Sequence, residues 1–127
     1  MPSHYERDDA RRRIVVTVEG DVSAAEALGI VNRQLADGAW TYGVLYDARN
    51  DTSQPSTADV RSIVEHVGRC IAQHGPRGPV AIVTRNPSNY GMARMYSTLG
   101  EPVKLTVEVF REIEDAEAWL ASQTSPA

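Results

Sequence analysis

Residues 80–100, VAIVTRNPSNYGMARMYSTLG, decide the fold. Val80, Ala81, Ile82 and Val83 form a run with no polar side, as a parallel strand covered on both faces requires. The run ends at Thr84 and Arg85, and Asn86 followed by Pro87 then reads as a helix start, because proline at the first helical position gives up an amide that has no partner there. Gly100, with Pro102 just beyond it, stops the helix. A buried strand running straight into a helix is half of a βαβ unit, so the rest of the chain should alternate in the same way.

Outward from this segment it does. Val103, Leu105, Val107 and Val109 alternate with polar residues and predict a strand at or near a sheet edge. A last helix is expected over about 114–121, with Ala116, Trp119 and Leu120 inward, and residues 123–127 are a frayed tail. On the amino-terminal side, Ser56 or Thr57 caps a helix whose Val60, Ile63, Val64, Val67 and Ile71 recur at helical spacing up to Gly75-Pro76. Tyr42 to Tyr46 is a short strand ending at Asp47, and RNDTSQPST after it has the composition of a loop. Ser23 and Glu26 form a capping box for a helix over about 24–37. Residues 3–7 and Ile14 to Glu19 form an opening hairpin around Asp8-Asp9-Ala10. The expectation is a single α/β domain over residues 1–122. It has about five strands in a mixed, mostly parallel sheet, an N-terminal hairpin with its first strand antiparallel at one edge, and four helices.

Composition narrows the role. The 127 residues carry a net charge of −4, and Arg11, Arg12 and Arg13 are offset by Glu6, Asp8 and Asp9, so nucleic acid is not an expected partner. No apolar run is long enough for membrane insertion, and the opening MPSHYERDDARRR has no signal-like apolar core. Cys70, the one cysteine, excludes an internal disulfide and fits the cytoplasm. It falls beside Val67 and Ile71 on the buried face, as a small hydrophobe rather than a nucleophile. His66 and His74 stand too far apart for a two-histidine metal face, no catalytic motif is found, and neither cofactor nor metal is expected. The reading points away from an enzyme.

Two candidate sites remain. Asp47 and Arg49 leave the third strand, Thr84 and Arg85 leave the fourth, and the amides around Ser88 and Asn89 open the third helix; together they could hold a small anion. The alternative is that Asp47 pairs with one of the arginines and orders the turns. On the third helix, Met92, Met95, Tyr96 and Leu99 are assigned to the core stripe. Tyr90 and Arg94 are assigned to the outer one, where they can stack on each other, with Gly91 between them suggesting close approach by another backbone.

The segments YGVLYDAR (42–49), GPVAIVTRNPSNYGMARMY (78–96) and VFREIEDAEAWL (109–120), set in this element order, resemble the small bacterial members of the STAS-like superfamily, typified by the anti-sigma-factor antagonists. The resemblance implies regulation by protein contact, with a homodimer or another protein as partner. A small anionic or lipid-like ligand at the carboxyl ends of the central strands is the alternative. In the antagonists a phosphorylated serine lies in an Asp-Ser-x-Gly motif after the third strand. Residues 47–63 here, DARNDTSQPSTADVRSI, lack that motif, although Ser53, Ser56 and Thr57 supply hydroxyls in the same place.

Overall fold

A computed structural model describes residues 3–123. Strand β1 (Ser3–Asp8) turns into β2 (Arg13–Gly20), and β3 (Gly43–Asp51), β4 (Val80–Val83) and β5 (Val107–Phe110) follow. The intervening helices are α1 (Ala24–Ala36), α2 (Thr57–His74) and α3 (Pro87–Gly100), with α4 (Ile113–Gln123) last. The five strands lie in the order β1-β2-β3-β4-β5; β1 is antiparallel to β2, and the other neighbours are parallel. The α/β architecture expected from the sequence, a mostly parallel sheet with an opening hairpin and four helices, is the one observed.

Alternation along the strands separates two cores. Ile14, Val16 and Val18 of β2, Val44 and Ala48 of β3 and Val80 of β4 are buried against α1, α2 and α3. Leu45, Ala81 and Val83 point the other way and pack on Ala116 and Leu120 of α4. Consecutive right-handed crossovers put α1 to α3 on one face, which leaves the opposite face for α4. Among the described residues no helix is long and apolar enough to cross a membrane.

Three local readings are corrected. β3 continues through Arg49, Asn50 and Asp51, read as loop, because the β2–β3 register shifts at Glu19 and lets Asn50 and Asp51 pair with Glu19 and Gly20. The strand expected from Val103 begins only at Val107. Residues Glu101–Val103 form a 3-10 turn, Lys104 takes a left-handed conformation at φ 65°, and the Leu105 amide returns to the Gly100 carbonyl. Val103 and Leu105 are apolar for another reason: they fill the space beside Gly68 and Gly100, where an added Cβ would lie 3.0 Å and 3.1 Å from them. The buried stripe of α3 is the third correction. It runs through Asn89, Ala93 and Gly100, with Tyr96 packed on the same core, whereas Met92, Met95 and Leu99 stay half-buried on its flank. Small residues let the helix sit close to the sheet, and that closeness decides which face is inward.

A polar knot closes the amino end of the sheet. Gln34 is fully buried on α1; its amide nitrogen donates to the Ala39 carbonyl and its oxygen accepts from Arg77 Nε at 2.8 Å. Trp40 Nε1 donates to the Gly75 carbonyl, and the Arg77 guanidinium lies 5.5 Å from the Trp40 ring centre. Gly78 crosses here so tightly that a Cβ would fall 2.1 Å from the Tyr42 carbonyl oxygen.

Candidate functional site

At the carboxyl ends of β3 and β4 the sheet divides the residues considered for an anion. Asp47 and Arg49 alternate with Tyr46 and Ala48 and so belong to the α4 face. There Arg49 grips Asp47 through two hydrogen bonds of 2.8 Å. This fork holds the Asp47 carboxyl below the usual carboxylate range and raises the Arg49 guanidinium. Arg85 reaches Glu112 at 3.3 Å. Both arginines therefore meet carboxylates of the chain itself. On the helical side, Asn86 caps α3 by accepting from the Ser88 amide at 2.9 Å. Thr84 is buried, and its hydroxyl has no partner among the described residues. Asn89 is also buried; its amide nitrogen donates to the Asp51 carbonyl, while its Oδ1 has no partner among the described residues. Asp47 with Arg49, and Arg85 with Glu112, are thus grouped on the α4 side, and Asn89 faces a different space.

That space is a cavity of about 160 Å³ between the sheet and the first three helices. Its walls are mostly aliphatic, from Ile30 and Val31 of α1, Ile63 of α2, Val44 and Ile82 of the strands and Ala93 of α3. Asn89 and Asp51 stand at one part of the wall, Tyr46, Tyr96 and Arg77 at others. Arg77 is 9% exposed, and no carboxylate lies within ion-pair distance of it among the described residues. Burial lowers the Arg77 guanidinium pKa, the nearby Tyr96 hydroxyl acting against this, and burial pushes Tyr46 and Tyr96 up. The sequence reading passed over Arg77, since an arginine within Gly-Pro-Arg-Gly-Pro looks like part of an exposed turn. The one available signal was Gly78 beside it, which marks a close approach to neighbouring backbone.

The outer face of α3 is the second candidate. Arg94 and Gly91 are exposed, and a Cβ on Gly91 would meet nothing within 4 Å. Tyr90 is half-buried, and its ring is covered by Arg111, 4.7 Å from its centre, rather than by Arg94. Of the three hydroxyls considered for modification, Ser53 is buried and donates to Asp51, Ser56 is the N-cap of α2 and accepts from the Asp59 amide at 3.0 Å, and Thr57 is exposed.

No family model and no curated protein matches the chain. Solved structures do. An uncharacterized protein of the DUF3478 family with a SpoIIAA-like fold, from Shewanella loihica PV-4, is 15% identical at a TM-score of 0.58, over 93% of this chain and 91% of that one. An anti-sigma factor antagonist from Mycobacterium paratuberculosis is 17% identical at a TM-score of 0.55, with 93% of each chain covered. The chain has the STAS-like fold.

Proposed function

We propose that this chain is a non-catalytic, cytoplasmic regulatory module that works by protein contact, and that its first partner is a second copy of itself docked through the outer face of α3. Gly91 carries the reading. Glycine within a helix costs about 1 kcal/mol relative to alanine. Gly68 and Gly100 have a packing reason in Val103 and Leu105, whereas Gly91 has none among the described residues. Gly29 of α1 is equally open, but only Gly91 is flanked by an aromatic held under a guanidinium and by the exposed Arg94, residue types enriched at interface anchors. The likeness to an anti-sigma factor antagonist supports contact-based regulation. A two-fold axis near Gly91 brings the two copies of this residue together, so Gly91→Cys should form a disulfide-linked dimer under mild oxidation, which needs Cα atoms within roughly 7 Å. A cysteine on the exposed face of α4, as in Glu117→Cys, should not. Equal cross-linking at both positions would remove the α3 seam.

A second reading has its own observation. The cavity under α3, with an unpaired Asn89 oxygen and a buried Arg77 on its walls, is suited to a small ligand. Such a ligand would lie on the helical side of the sheet, away from Arg49 and Arg85.

A further inference from the structure

Among the described residues Arg77 is the one cation on the cavity wall, and no carboxylate lies within ion-pair distance of it. Its Nε is used by Gln34, its face lies near Trp40, and its remaining polar neighbours are the Tyr96 hydroxyl, the Cys70 thiol and the Tyr5 hydroxyl, with no carboxylate among them. A guanidinium kept this far from water without a counter-charge is costly, by several kcal/mol in general terms, and such groups are ordinarily paired. Gln34 takes one edge of the group through Nε, and the Tyr96 hydroxyl, its other hydrogen-bond partner, brings no negative charge. The other edge is a planar pair of donors matched to a carboxylate.

The rest of the wall limits what can bring that carboxylate. A cavity of about 160 Å³ is close to the size that takes one benzene-sized molecule. Its lining is aliphatic apart from the residues named above. Asn89 and Tyr96 are seven residues apart on α3, so the unpaired Asn89 oxygen sits roughly 10 Å along the helix from the Tyr96 end. An acceptor there is satisfied by a donor on the ligand's far end. The Asp51 carboxylate, also on the wall, opposes a second negative charge, and a phosphate would bring close to two charges against a single arginine.

Resting on the ligand reading above, we infer that the cavity binds a small apolar monocarboxylate, one ring or about six carbons long, with its carboxylate on Arg77 and a preference for a hydroxyl directed at Asn89. The ligand supplies both missing partners: the anion for Arg77 and the donor for Asn89 Oδ1. No covalent step is involved.

The test compares 4-hydroxyphenylacetate with its uncharged amide and with phenylacetate, by calorimetry and by amide chemical shifts of the full chain. The acid should bind at least tenfold more tightly than the amide, and more tightly than phenylacetate, with the largest shifts at Arg77, Tyr96 and Asn89. Arg77→Met, which keeps the volume of the side chain, should erase the difference between acid and amide, and Ala93→Phe, which fills the cavity, should abolish binding of both. Equal affinity of acid and amide for the wild type overturns the role of Arg77 while leaving a cavity ligand standing. Failure of every probe to bind at millimolar concentration overturns both. Shifts confined to Arg49 and Arg85 would show surface anion binding and overturn the cavity assignment.

Discussion

Single residues fix the parts of this molecule that are least tolerant of change. Gly78 is the clearest case, because its missing side chain is what lets the Pro76–Pro79 segment cross the Thr41 and Tyr42 carbonyls, and Gly78 donates its amide to the Trp40 carbonyl at 2.9 Å. Gly78→Ala should destabilise the fold by about 3 kcal/mol, measured by urea unfolding, since backbone rather than a flexible side chain must move. Protonation acts at the same scale and in two directions. Asp47 is held below its ordinary range by Arg49, so its contribution is present above about pH 4 and is lost as acid protonates the folded carboxylate. Asp47→Asn should remove about 1–2 kcal/mol at neutral pH and flatten the acid limb of the stability profile. Tyr5, pushed up to about 12 by burial with Asp37 beside it, and the partly buried Tyr46 and Tyr96 behave oppositely. Their stabilisation is full below about pH 10 and fades as pH rises toward the raised folded values. Tyrosinate absorbance should therefore develop together with alkaline unfolding in one cooperative step.

At the scale of elements, the sequence exposes whatever is local. The Ser23 box, the cap read at Ser56 or Thr57 and found at Ser56, and the Asn86–Pro87 start are chemical signals within four residues of each other, and all three mark real helix ends. What failed was set by contacts far along the chain. β3 is long because a register shift in β2 offers Asn50 and Asp51 a partner, and no periodicity in residues 49–51 records that. The stripe of α3 was misplaced because methionine is more apolar than Asn89 or Gly100, yet proximity to the sheet favours the smaller residues. Arg77 was invisible as a site residue for the same reason: its burial depends on Gln34 and Trp40, some forty residues away in sequence. Since nothing among the described residues meets a Cβ at Gly91, Gly91→Ala should raise the stability of the isolated monomer by about 1 kcal/mol, read as a higher thermal midpoint at low protein concentration.

For the whole molecule, the two faces of the sheet have different work. α4 closes one side with Leu120, Ala116 and the Phe110–Trp119 ring pair, and the carboxylates and arginines at that rim satisfy one another. The helical side keeps the cavity, the unpaired Asn89 oxygen and, on its outer surface, the open glycine of α3. A ligand in that cavity and a partner on α3 would share the helix, which gives the regulatory reading a physical route between them. The claim on which this account rests is the α3 contact, and sedimentation of the wild type and Gly91→Leu across a wide range of concentration tests it most directly. The wild type should pass from monomer to dimer as concentration rises, while Gly91→Leu, with its fold intact by circular dichroism, stays monomeric. A wild type that remains monomeric throughout, or a dimer that Gly91→Leu leaves unchanged, would contradict it.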